Sequence, residues 1–418
     1  MNTEERIYKR SRLMYIFEAT LEYFISLLVV GSFLATLTSE LGMSDSLTGI
    51  LSSIISLGCM FQLLSIGIRR ARVKSFVVLM SIINQLLFML LYVVPIINVD
   101  KNIKIIIFII LIFSAYFIYN LVHPKKINWL MSLVDDHKRG SFTANKEIFS
   151  LITGMIFSFS MGALIDYFKE KGDIKTALIL SAVVIFIVMI MHTLSMIFAI
   201  EKPVEKSPAK DLKSTIKDTV LNKKLLSISL VFIFYNISTY AATPFYGTYQ
   251  IHELGFNLKL TTALTIIGSA VRIFVSKFWG RYADKNSFTS MMEKCLIFLA
   301  LAFLCCSFAV PSNGKIMFAG YYIFHGIALG GISSALINLV FEYVAPEKRA
   351  DSLAVCQATS GLAGFLTTLL ISPLVTLIQN NGNKVFGIPL YAQQIISFLS
   401  FLVTATAVIY IKKVLRKK

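Results

Sequence analysis

Charge is scarce in this sequence, and negative charge most of all. Asp and Glu number 23 in 418 residues against 40 Lys and Arg, and charged residues make up only 15% of the chain. A soluble globular domain carries about 25%, so a water-soluble fold is excluded. Cysteine is thin as well. Cys59, Cys295, Cys305, Cys306 and Cys356 fall in or beside apolar stretches without CxxC spacing, which supports neither a disulfide framework nor a zinc site. They read as small core residues. No GxxxxGK[ST] loop occurs, which argues against ATP as a built-in energy source. Asp135, Asp136 and His137 have metal-binding residue types, yet no second acidic or histidine cluster completes a site, and no enzymatic constellation or cofactor is supported.

What the chain does have is apolar length. Hydrophobic residues make up 56%, aromatics 12%, and the mean hydropathy is +0.73. Apolar runs recur along the whole chain, each long enough to cross roughly 30 Å of hydrocarbon as a helix. Twelve are expected, at about residues 13–38, 45–68, 73–97, 104–134, 143–167, 175–199, 224–251, 258–282, 289–310, 315–344, 350–378 and 389–411. The basic amino-terminal arm precedes a run too long for a signal-peptide core, so it reads as retained.

The net charge of +17 is explained by topology. With the amino terminus in the cytoplasm, roughly thirty Lys and Arg lie on that side and about eight outside. Both termini are then cytoplasmic, in a multi-pass protein of the cytoplasmic membrane, and no nucleic-acid partner is implied.

The longest polar stretch, "EKPVEKSPAKDLKSTIKDTVLNKK", lies near the middle of the chain and divides it into halves 1–200 and 224–418 joined by a linker at 201–223. A weak internal repeat supports the division. An offset of about 213 superposes Gly42 on Gly255 and Gly67 on Gly280, and one of about 210 superposes "DDHKRGSFTANKE" on "APEKRADSLAVCQ". Span four then matches span ten, which runs unbroken through "GIALGGISSALINLVFEYV". By that analogy span four continues past Pro124, placing Lys125 and Lys126 roughly 12 to 14 Å inside the membrane from its cytoplasmic end.

Two loop patterns carry a resemblance. "GRYADK" (280–285), after span eight, is similar to a G-x-x-x-D loop, with Gly280 allowing a close turn and Asp284 near helix ends; "DDHKRG" and "APEKRA" are similar to acidic-x-x-Arg-small loops. With twelve spans in two related halves, the chain resembles the Major Facilitator Superfamily over essentially its whole length. The resemblance implies an all-α membrane protein of two pseudo-symmetric six-helix bundles, in which spans one, four, seven and ten line a central cavity. It implies a secondary transporter working by alternating access, with Gly280, Arg281, Asp284, Arg139 and Arg349 as gating residues. The first-half loop "GIRRARVK" has Ala71 where the second half has Asp284. Span five lacks a Gly-Pro element and span four an Arg-Gly motif, so drug/proton antiport is the lesser alternative, beside a lipid flippase on the same fold.

Charges at membrane depth cost at least about 2.5 kcal/mol each and usually mark function. Glu18 and Glu22 share one helical face, roughly 9 and 15 Å deep, while Lys125, Lys126 and Arg272 lie at matching depth. A Glu22–Lys126 pair with Glu18 and Lys125 nearby is expected to change partners during transport, and Lys125, Lys126 or Arg272 to attract an anionic group. Static salt bridges are the competing reading. Polar and aromatic side chains suited to a small organic solute are Asn128, Tyr235, Asn236, Tyr240, Tyr246 and His325, and Pro244 is placed to break span seven. The partners expected are such a solute, a coupling proton or sodium ion, and the lipid bilayer, around a monomer.

Overall fold

The computed structural model describes residues 3–67, 73–134, 139–201, 223–343 and 349–415. The apolar runs fold as helices because hydrocarbon offers no partner for backbone N–H and C=O groups, and a helix satisfies them internally. In chain order these are α1 (Thr3–Leu27), α2 (Gly31–Glu40), α3 (Asp45–Phe61), α4 (Lys74–Val93), α5 (Lys101–Met131), α6 (Arg139–Glu170) and α7 (Ile174–Phe198). They continue as α8 (Lys223–Ala242), α9 (Leu258–Lys285), α10 (Phe288–Ser307), α11 (Gly314–Tyr343), α12 (Arg349–Asn380) and α13 (Ala392–Tyr410). Eleven helices among the described residues are long and apolar enough to cross a membrane, and α1 with α2 makes a twelfth if the bent pair is one span.

That bend is a departure from the single rod expected over 13–38. The helix axis turns by 45° between Leu27 and Gly31. Gly31 has φ +55°, a conformation that costs a residue with a Cβ but not glycine. Span seven breaks where Pro244 was expected to break it: α8 ends at Ala242, a 3-10 turn covers Thr243–Phe245, and a π turn covers Tyr249–Glu253. A two-residue hairpin, Lys384–Val385 with Ile388–Pro389, precedes α13.

α5 answers the question posed by its lysines. It runs unbroken from Lys101 to Met131 with Pro124 inside it. Proline has no N–H, so the Asn120 carbonyl loses its usual helical donor there. "GRYADK", by contrast, is not a loop. α9 stays helical through Lys285, and Gly280 makes no positive-φ turn. Asp284 therefore lies in the last turn of α9, three residues before the Ser287 cap of α10, whose hydroxyl accepts from the Ser290 N–H.

The chain forms two compact units. One contains Met1–Met43, Phe61–Pro208 and Asn257–Thr262; the other contains Ser44–Met60, Ala209–Phe256 and Ala263–Lys418. In the first, α1 packs on α6 and α7, and α4 packs on α5 and α7. Its core includes Tyr15, Val77, Val122, Trp129, Leu133 and Met196. The indole N–H of Trp129 donates to the Ile200 carbonyl at 2.9 Å. Asp166, on α6, accepts from the backbone N–H groups of Leu258 (3.1 Å) and Lys259 (2.6 Å), satisfying two orphan donors at the start of α9.

In the second unit, α10 packs on α11 and α13, and α8 on α12 and α13. Gly268 of α9 lies so close to α11 that a Cβ there would sit 2.9 Å from the Tyr322 carbonyl, which only glycine allows without displacement. Ser44–Met60 packs here too, with Ser56 donating to the Gly361 carbonyl at 2.9 Å.

Candidate functional site

Four ionisable side chains meet in the interior of the first unit. Glu18 and Glu22, one turn apart on α1, point to the same side because residues i and i+4 share a helical face. Lys126 on α5 reaches between them, with its Nζ 2.8 Å from Glu18 Oε1 and ion-paired with Glu22. His192 on α7 completes the group, its Nε2 3.2 Å from Glu18 Oε1 and 3.6 Å from Glu22 Oε2. Glu18, Lys126 and His192 are all buried, whereas the Glu22 side chain keeps 16% of its surface exposed. Glu22 is thus the member through which the group meets its surroundings.

Burying charge is tolerated only when pairing is close and the remaining lone pairs find donors. Here two carboxylates share one ammonium and one imidazole. The neighbouring groups are also defined. Lys146 on α6 lies over the Tyr15 ring at 4.8 Å, and the Glu18 carboxylate acts electrostatically on both Lys146 and His123. Beside Glu22 and Lys126 lies a small cavity of about 10 Å³, lined by the polar side chains of Ser81, Asn84, Gln85, Tyr119 and His123 and by the apolar ones of Met80, Ile118 and Val122. That is room for about one water. Gln85 Oε1 and His123 Nδ1 are buried there with no hydrogen-bond partner in the protein, and a water is the partner such atoms usually find.

The remaining expected residues are spread more widely. Lys125 is half-buried and turned away from the cluster by its 100° step along the helix, and Asn128 is exposed. In the second unit Arg272, Tyr235 and His325 lie near one another, close enough for the Arg272 charge to act on both. His325 stacks on Tyr321 with ring centroids 5.0 Å apart. Tyr235, Asn236 and Tyr240 are half-buried on α8, with Asn236 donating to the Phe232 carbonyl at 3.1 Å and Tyr240 against Gly364. Tyr246 requires a correction: it is buried among Phe318 and Tyr321, and its hydroxyl pairs with Ser397 at 2.8 Å, so it packs the bundle interior and has no free face for a solute. Of the gating set, Gly280 and Arg281 are exposed. The side chains of Asp284, Arg139 and Arg349 lie outside the described residues.

His192 was missed by sequence reasoning. The signal that finds it is the one used for the glutamates. It is a lone titratable residue in the apolar run "IVMIMHTLSMIF", and about 9 Å from the end of that run at Phe198 it reaches the same level as Glu18 and Lys126.

A Major Facilitator Superfamily model matches residues 16–368. The chain belongs to that family. It is a multi-pass transporter and not an enzyme. No curated protein matches the sequence, but solved structures match the fold throughout. The nucleoside transporter NupG is 13% identical over all of both chains, with a TM-score of 0.70. The D-xylose-proton symporter is 12% identical over 94% of this chain and 96% of its own, with a TM-score of 0.66. An auto inhibited peptide transporter of the POT family is 11% identical over 98% and 97%, with a TM-score of 0.71. Within the superfamily fold, α1 and α5 carrying the glutamates and Lys126 are the first and fourth spans.

Proposed function

We propose that this chain is a secondary active transporter that moves a small organic solute across the cytoplasmic membrane by alternating access, in symport with a proton or a sodium ion. The observation that carries this reading is the Glu18–Glu22–Lys126–His192 group, an ionic cluster buried at membrane depth on the spans that line the central cavity in this family. Two carboxylates competing for one ammonium form a set whose pairing changes when a cation or proton arrives. Glu22, the least buried member, is the acid that exchanges. His192 holds Glu18 in place through the whole cycle.

The half-buried Tyr235, Asn236 and Tyr240 on α8 offer ring faces with polar handles, and the fold is shared with a nucleoside transporter and a xylose symporter. Both lines favour a compact polar solute such as a sugar or nucleoside over a large apolar drug. The protein works as a monomer with both termini in the cytoplasm.

The test begins with a thermal-shift screen of purified protein against nucleosides, sugars, amino acids and organic acids. The ligand found is then followed in proteoliposomes by counterflow and by gradient-driven accumulation. Glu22→Gln is expected to keep counterflow and lose accumulation. Accumulation by Glu22→Gln at the wild-type level under the same gradient rejects the coupling role. Absence of counterflow for every stabilising ligand rejects transport itself.

A further inference from the structure

The ammonium of Lys126 lies where a free cation would lie. Glu18 Oε1, Glu22 Oε2 and His192 Nε2 fall within 4.8 Å of one another, and the Lys126 Nζ contacts both carboxylates at once. Two carboxylates and an imidazole form a donor set for a divalent first-row metal and, with added oxygens, for sodium. An oxygen is at hand in the cavity beside Glu22, where Gln85 Oε1 is buried without a partner in the protein. The imidazole is held inside the helix bundle with its second nitrogen, Nδ1, equally unpartnered, so the His192 ring is positioned by its contact with the carboxylates and by packing alone.

We infer that the cluster is a cation seat occupied by Lys126 as a tethered ion. The wild-type protein therefore takes neither sodium nor a divalent metal there, and the seat accepts a free cation once the ammonium is removed. This rests on the reading of the cluster as the coupling element and narrows it: with the seat filled from within the chain, sodium has no place in it and the proton is the coupling ion. The physical reason is exclusion by charge and volume. A second cation brought to a site already holding an ammonium meets like-charge repulsion at low dielectric. Removal of the ammonium leaves two carboxylates facing each other in the bundle interior, with His192 beside them and Lys146 and His123 close enough to feel the Glu18 charge, and that arrangement draws in whatever cation can reach it.

The experiment uses the purified full chain with Mn²⁺ as the probe, read by loss of the free-ion paramagnetic resonance signal, and needs neither solute nor gradient. Lys126→Ala and Lys126→Met are expected to bind roughly one Mn²⁺ per chain at concentrations where the wild type binds less than about a tenth as much. Adding Glu18→Gln to Lys126→Ala is expected to return binding to the wild-type level, and Lys126→Arg to bind no more than wild type. Sodium chloride is expected to raise the unfolding temperature of Lys126→Ala above that seen in choline chloride, with no such difference in the wild type. Equal Mn²⁺ binding by wild type and Lys126→Ala overturns the inference, as does no binding by either alanine or methionine variant when both are monodisperse and helical. Recovery of folded Lys126→Ala only when Mn²⁺ is present during extraction supports it, and failure of both variants to fold with and without Mn²⁺ overturns it. Gradient-driven accumulation by Glu22→Gln decides the coupling reading separately, so the two can fail independently.

Discussion

The interiors of the two units solve the same packing problem with different chemistry. The first holds an ionic group, Glu18, Glu22, Lys126 and His192, between α1, α5 and α7. The second holds an aromatic and thiol interior, in which Tyr246, Tyr249, Phe318 and Tyr321 cluster near the buried Cys306. Its buried hydroxyls bond to neutral groups: Tyr246 pairs with Ser397, and Tyr249 donates to the Ala309 carbonyl at 2.6 Å. The weak internal repeat thus leaves each half free to specialise. The first bundle keeps four ionisable groups whose pairing can change, whereas around Tyr246 and Tyr249 the second keeps rings and neutral hydrogen bonds, its charged pair Asp45–His252, 2.7 Å apart, lying elsewhere in the unit.

The contrast can be broken most sharply at Glu18. Glu18→Ala leaves the buried ammonium short of one partner and is expected to destabilise the protein by about 3–5 kcal/mol, measured by thermal unfolding in detergent. In the aromatic interior, Tyr249→Phe removes one neutral donor and leaves the Ala309 carbonyl unpaired, for an expected loss of about 1–3 kcal/mol. If Tyr249→Phe costs as much as Glu18→Ala, the two interiors are not different in kind. Gly31→Ala places a Cβ at φ +55° and is expected to cost about 1–2 kcal/mol; a smaller loss would mean that the bend between α1 and α2 tolerates another backbone conformation.

The weakest effect belongs to Asp173, at the surface end of α7, outside either interior. The Thr176 hydroxyl and backbone N–H hold its carboxyl below the ordinary value of 3.8. A depressed acid stabilises the folded state above its unfolded value and loses that contribution as pH falls through the folded one. The protection of the Thr176 amide relative to its intrinsic exchange rate is therefore expected to fall only below about pH 4, and Asp173→Asn to abolish that dependence.

Much of the ionic site was legible because its rules are local. Glu18 and Glu22 sit four apart, and a count along each rod puts them level with Lys126. The same count reaches His192, but an isolated histidine in an apolar helix reads as core until its neighbours are known. What lay beyond reach depended on tertiary context. Nothing in "LVVG" distinguishes a bent pair from a straight span, and a glycine followed by charged residues in "GRYADK" reads as a loop although α9 remains helical there. Tyr246 and Tyr235 are indistinguishable as residue types; only packing puts the first inside and the second half-buried.

One detail of α5 sets how the ammonium can be moved. The missing backbone donor at Pro124 comes two residues ahead of Lys126, so the ladder of the rod lacks a rung just outward of the charge. Torsion applied to the short end of the rod beyond Pro124 is most easily absorbed at that gap. Lys126, already within reach of both glutamates, sits on the shorter piece of the rod, next to the point where the helix resists twisting least.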